Sequence, residues 1–133
     1  MRAGKTLALL CAVVLSCGCF KQIQLPPQAE YTELQPSGRA ARPPDCNMPV
    51  LRHEPLADFT RVGLIEGRGS RYTDEEDVLR VVKQRACEGG ADAVVILTSQ
   101  SQTTEAFVGY FIDADAIIYG KTPNIPSGPS MTH

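Results

Sequence analysis

Cys11, Cys17, Cys19, Cys46 and Cys87 are the thiols of this sequence, and His53 and His133 are its two imidazoles. A cysteine nucleophile needs a base beside it and an exposed, electropositive setting. Lys83 and Arg85 precede Cys87, but neither histidine is near it in sequence. His53-Glu54, Asp58 and His133 are the one imaginable metal set, and their spacing matches no ligand pattern. His53 reads instead as a strand-edge residue facing water. Gly67-Arg68-Gly69-Ser70 lies between a strand and a helix, where phosphate loops sit. However, the four acidic residues from Asp74 to Asp77 open that helix and would repel an anion, and no Gly-Lys-Ser/Thr ending follows. Those carboxylates occupy consecutive helical positions and point in several directions, which suits helix capping better than calcium. The residues therefore assign no catalytic group, no metal and no cofactor, and the expectation is a protein that is not an enzyme.

The elements that position these residues centre on Thr73 to Leu97. Thr73 is a good N-cap and Glu76 completes a capping box. Acidic residues crowd the positive end of the helix dipole, and Arg80, Lys83 and Arg85 sit toward its negative end. Val78, Val82 and Ala86 form an apolar stripe, with Leu79 and Val81 flanking it. Gly89-Gly90 supplies a left-handed stop. Ala91 to Thr98 is apolar on both faces, which places a strand in the middle of a sheet. Asp92 at its start is read as an acceptor for free backbone donors.

Met48 to Glu54 is a strand bracketed by Pro49 and Pro55, suited to a sheet edge, and Arg61 to Glu66 is a second. Gly67 to Arg71 is expected as a loop and Ser99 to Thr104 as a turn. Glu105 to Ile112 and Ala114 to Tyr119 read as two strands, or as one long strand with a bulge. The fold class is α+β: a small mixed sheet of four to five strands in the order β-β-α-β-β, with one helix on one face and the other face partly open. The strand-helix-strand crossover is expected to be right-handed.

The 133 residues carry a formal charge of −2 and no basic patch, which argues against nucleic acid as a partner. No apolar run is long enough to span a bilayer. Arg2 and Lys5 precede an apolar run from Leu7 to Leu15, as in a signal peptide. Val14-Leu15-Ser16-Cys17-Gly18 then resembles the lipobox of bacterial lipoprotein signal peptides. That resemblance implies thioether lipidation of Cys17, cleavage after Ser16 and acylation of the new amino terminus. Gly18 at the second mature position resembles lipoproteins passed to the outer membrane, where the domain would face the periplasm. Loss of Arg2 and Lys5 leaves 11 basic against 15 acidic residues, or −4, so anionic lipid has no electrostatic hold on the mature chain.

Export to an oxidising compartment, as the lipobox implies, makes a Cys46–Cys87 disulfide the natural reading. Two buried free thiols, or a bond through Cys19, are the alternatives. The division expected is residues 1–16 as signal peptide, 17–47 as lipidated cysteine and Pro-rich tether, 48–120 as the globular domain and 121–133 as a frayed tail. Pro26, Pro27, Pro36, Pro43 and Pro44 mark the tether.

Ala86-Cys87-Glu88-Gly89-Gly90-Ala91-Asp92-Ala93-Val94-Val95-Ile96 resembles a motif of small bacterial envelope domains: an Ala-rich helix end, Gly-Ala-Asn/Asp-Ala, then Val and Ile. Cys46, Pro55 and Gly63-Leu64-Ile65 match features found upstream in the same domains. The likeness spans roughly Cys46 to Gly120. It is to outer-membrane stress-sensor lipoproteins of the Rcs phosphorelay type and to uncharacterised lipoproteins of similar length. It implies a lipid-anchored envelope lipoprotein acting as an interaction or stress-sensing module, with acyl chains on Cys17 in the membrane and an envelope protein as partner. The alternative class is an envelope domain binding a small ligand or metal ion.

Overall fold

The computed structural model of the chain describes residues 25–105 and 108–120. In order they form β1 (Gln28–Glu33), β2 (Val50–Leu51), β3 (Phe59–Gly69), α1 (Glu75–Glu88), β4 (Ala93–Thr103) and β5 (Val108–Tyr119). The strands make one sheet in the order β1-β3-β5-β4-β2. The β2–β4 pair is parallel and the other three pairs are antiparallel. With α1 packed on one face, this is the α+β fold anticipated. No helix among the described residues is long and apolar enough to cross a membrane.

β5 holds the centre because its alternation serves two faces. Ile112, Ala114, Ala116 and Ile118 are buried toward α1 with Val62, Ile65, Val94 and Ile96. Ile117 is buried on the opposite face, with Ala93 and Val95, and Phe59 and Leu51 pack against them. α1 presents Val78, Val82, Ala86 and Cys87 to the sheet. It approaches so closely that a Cβ on Gly67 would lie 2.6 Å from Val82 Cγ2 and 2.7 Å from Val78 Cγ1.

That approach corrects the expected loop at Gly67-Arg68-Gly69. These residues close β3, and Gly67 stands where the helix leaves no room for a side chain. Thr73 is not the N-cap, because its hydroxyl donates to Ser70 O at 2.5 Å in the preceding turn. Asp74 caps instead. Its Oδ1 accepts from Asp77 N at 3.0 Å, and Asp77 Oδ2 accepts from Asp74 N at 3.4 Å, so Asp77 rather than Glu76 completes the box. At the other end Gly89 is right-handed and Gly90, at φ +71°, makes the left-handed stop.

Three further expectations change, and one open alternative is decided. Ser99 to Thr103 is the second half of β4 rather than a turn, its polar side chains mostly exposed while its backbone pairs with β5. Residues 108–119 are one strand, and the irregularities sit in its neighbours: Val62 is extra in β3 and Leu97 extra in β4. Extra residues of this kind bend a strand and raise its twist. The stretch read as tether contains β1, which pairs with β3 from Gln28–Arg68 to Glu33–Gly63. Ala29 and Tyr31 face α1 and the core, and the prolines precede or follow the strand without interrupting it. The strand expected from Met48 to Glu54 shrinks to Val50–Leu51, where Pro49 O accepts from Val94 N at 3.0 Å. The tail, residues 121–133, lies outside the described residues.

Gly67→Val tests the close approach. It is expected to lower the free energy of urea unfolding by about 1–3 kcal/mol, the usual penalty of overpacking, with the unfolding slope unchanged. Unaltered stability would mean that α1 does not lie on β3 at this point.

Candidate functional site

The segment after β1 wraps the C-terminal end of α1 as a strap, and cysteines fasten it. Cys46 and Cys87 form a disulfide with 6.0 Å between their Cα atoms. Cys87 is fully buried. A cysteine that is both buried and bonded offers no nucleophile. Arg42 N donates to Cys87 O at 2.9 Å, and the Arg42 guanidinium bonds to Ala91 O. The strap thus adds a donor to Cys87 O, which also accepts from Gly90 N at 3.1 Å, and one to Ala91 O beyond the helix end.

Asp92 ties this region to the sheet. It accepts from Tyr119 N at 2.9 Å and forms an ion pair with Arg39, whose second nitrogen donates to Tyr119 O at 3.3 Å. The side chain at the start of β4 therefore satisfies a strand-end donor, as its position in the sequence suggests, and also anchors the strap.

An open groove of about 640 Å³ lies between β1, the strap and the end of α1, lined by residues that include Tyr31, Glu33, Ser37, Arg39 and Glu88. Tyr31 fills the space above Gly63 and Gly89, where any Cβ would collide with its ring. Burial, and then the nearby Glu33 carboxylate, push the Tyr31 phenol above its usual range. A neutral phenol beside acidic groups offers hydrogen bonds rather than acid–base chemistry.

The sheet face away from α1 carries a second polar group. Arg61 Nε lies 2.8 Å from Asp115 Oδ2, and Arg61 Nη2 lies 2.8 Å from Glu54 Oε1. Asp115 is buried there beside Ile117. Burial raises its carboxyl above the ordinary carboxylate range; Arg61 pulls it back and Glu54 pushes it up. Farther along the same face, the Arg68 guanidinium stands 6.0 Å from the Phe111 ring centre.

The residues singled out from sequence scatter across this framework. Cys46 and Cys87 come together. Glu54 belongs to the Arg61 group, while Asp58 contributes its carbonyl to Gly120 N at 2.9 Å. Cys17 and His133 lie outside the described residues. Among the described residues no group of three or more His, Cys, Asp or Glu is arranged to hold a metal. Arg39, Arg42 and Tyr31 carried no signal within a Pro-rich stretch. Asp115 did carry one: a carboxylate inside the apolar run Ala114 to Tyr119 demands a partner.

Replacing Cys46 and Cys87 together by serine is expected to lower the unfolding free energy by roughly 4 kcal/mol, as the loss of a cross-link closing a loop of this length should. Chemical denaturation of the oxidised, reduced and substituted proteins checks it, with reduction matching substitution. For Asp115 the sign follows from the raised carboxyl: the folded protein holds this proton to higher pH than the unfolded chain. The stability of the natural protein relative to Asp115→Asn should therefore fall as pH rises through and above the ordinary carboxylate range. Parallel urea titrations across that range give the difference directly, and a difference that rises with pH contradicts the assignment.

No protein-family model matches the chain, and neither curated proteins nor solved structures contain a significant match to it.

Proposed function

We propose that this chain is a lipid-anchored lipoprotein of the bacterial cell envelope whose folded domain is a non-catalytic interaction or stress-sensing module. The observation that carries the reading is Cys17 within Val14-Leu15-Ser16-Cys17-Gly18, behind a basic start and a short apolar run. Two or three acyl chains there, at ~0.8 kcal/mol per buried CH₂, hold a protein on a membrane stably. Gly18 favours the outer membrane, with the domain facing the periplasm. The Cys46–Cys87 disulfide fits an oxidising compartment of that kind.

β1 alters the geometry expected of the tether. The sheet begins at Gln28, only ten residues after Gly18. At ~3.5 Å per extended residue the linker reaches at most about 35 Å. The domain then works close to the bilayer, on a short leash, and its partner lies in the same shallow layer. The −4 charge of the mature chain keeps it from lying down on anionic lipid.

One observation favours a second reading, a small-ligand domain: the groove beside Tyr31 and Glu33. Crosslinking in intact cells followed by purification separates the two. A specific envelope protein crosslinked to the domain supports the first reading. A thermal shift with a small molecule, lost in Tyr31→Ala while no protein partner is captured, supports the second.

Cys17→Ala tests the anchor. Labelled fatty acid incorporated by the natural protein is expected to vanish from the variant, and the chain is expected to leave the membrane pellet. Label retained at full level in Cys17→Ala would move the lipid to another residue and overturn the reading.

A further inference from the structure

We infer that the outer edge of β4 from Leu97 to Thr103 is a self-pairing surface, on which a second copy of this chain adds its own β4 antiparallel about a two-fold axis at Gln100. β2 covers β4 only at Val94 and Val95. Beyond Val95, no strand among the described residues pairs with that edge. A row of unpaired N–H and C=O groups is a template for another strand, and proteins ordinarily blunt such rows with charge, proline or a covering element.

The other edges of this sheet are blunted. β1 carries Glu30 and Glu33, follows Pro26 and Pro27, and has Arg85 Nε donating to Ala29 O at 3.0 Å. β2 is two residues long, between Pro49 and Arg52. The exposed half of β4 is Leu97-Thr98-Ser99-Gln100-Ser101-Gln102-Thr103, with no charge and no proline. In an acidic protein this is a stretch where two copies meet without like-charge repulsion.

The chain outside the described residues fits the edge poorly. The N-terminal segment enters at Leu25, which lines a cleft with Arg68, Gly69 and Ser70 on the β1–β3 side, across the sheet from β4. The C-terminal segment leaves at Gly120, bonded to Asp58, near the end of β4 that β2 already occupies. Its Pro123, Pro126 and Pro129 each remove a ladder donor.

Antiparallel pairing of identical strands places the axis perpendicular to the sheet, through one residue. An axis at Gln100 sets Gln100 against Gln100, Ser99 against Ser101 and Thr98 against Gln102. It also brings Leu97, 51 % exposed, opposite the second copy's Thr103. Shifting the axis to Ser101 leaves Leu97 outside the pairing. Both domains keep α1 on the same side of the joined sheet, which becomes ten-stranded.

The test uses the full-length protein in detergent micelles, with Cys19→Ser to remove a competing thiol. Opposed Cα atoms in such a pair lie ~4.5–5.5 Å apart, within disulfide reach. Gln100→Cys is expected to give a disulfide-linked dimer on mild oxidation. Gln102→Cys, whose two copies are displaced from each other along the strands by four residues' rise, ~13 Å, should give at least about tenfold less. The natural protein should have the mass of a dimer. Gln100→Lys and Gln100→Glu should each shift the equilibrium toward monomer by about fivefold, as like charges directly opposite do, and mixing the two should restore the dimer. A monomeric natural protein, with the edge left to residues 121–133 or to a strand of another protein, overturns the proposal. So do equal crosslinking at positions 100 and 102 and failure of the mixture to recover. The same variants carrying Cys11→Ser and Cys17→Ser in addition keep the readouts independent of whether Cys17 carries lipid.

Discussion

The structure depends on α1 resting almost directly on the backbone of the sheet. Gly67 beneath Val78 and Val82, and Ala114 and Ala116 in β5, keep the facing surface low. Large side chains therefore interlock only around this shelf, at Ile65, Ile112, Val62 and Ile118. A single helix covers a five-stranded sheet, so the apolar area buried is small for the length of chain ordered. Such a domain needs a fastening beyond its core. The disulfide supplies it where it has most effect, joining the last turn of α1 to residues 34–49, the longest stretch without helix or strand among the described residues.

The strap is thus part of the fold. Arg39, Arg42 and Cys46 act within eight residues of one another on three consecutive features: the end of α1, the glycine turn and the start of β4. Gly90 must be left-handed there, and the carbonyls of Arg39 and Ala40 crowd the position its Cβ would take. A side chain at Gly90 would meet both the wrong backbone region and the strap. The end of the helix, the chain reversal and the strap therefore form one unit, and α1 cannot shift without loosening all three.

This coupling explains what was legible in the sequence and what was not. α1, its stop and the first half of β4 were legible because local signals agreed: an apolar period, two glycines and a Val-Ile run, while the cap itself fell one residue later, at Asp74. β1 was hidden because its reasons are remote. Gln28 to Glu33 has two inward residues, Ala29 and Tyr31, and becomes a strand only when β3 lies beside it. The second half of β4 was hidden because Ser, Gln and Thr serve turns and exposed strands equally well, and β5 decides between them. The two extra residues, Val62 and Leu97, have no local signature either. The cysteine pair was legible through the oxidising compartment that the resemblance to a lipobox implies, while the Arg39–Asp92 and Arg61–Asp115 pairs join residues more than fifty positions apart and only folding discloses them.

The same geometry limits where a partner can act. On the α1 side the sheet is taken up by the core, the disulfide and the strap, with the groove beside Tyr31 left open at its margin. The far face is half closed by Asp115, Arg61 and Glu54, a group in which removing one member would leave a buried or crowded charge uncompensated. That arrangement places charge on the face beside the apolar residues Leu51, Phe59 and Ile117. Recognition by main-chain hydrogen bonds needs no apolar patch, because the ladder itself supplies affinity and alternate side chains supply selection. β4 past Val95 is the place on this sheet where that mode is open. It projects with β5 beyond the end of β3, whose last residue, Gly69, pairs with Tyr110 while β4 continues to Thr103 against Val108. The last two residues of β4, Gln102 and Thr103, thus lie past the end of β3. In a domain fastened so tightly elsewhere, an encounter at that edge leaves the core undisturbed.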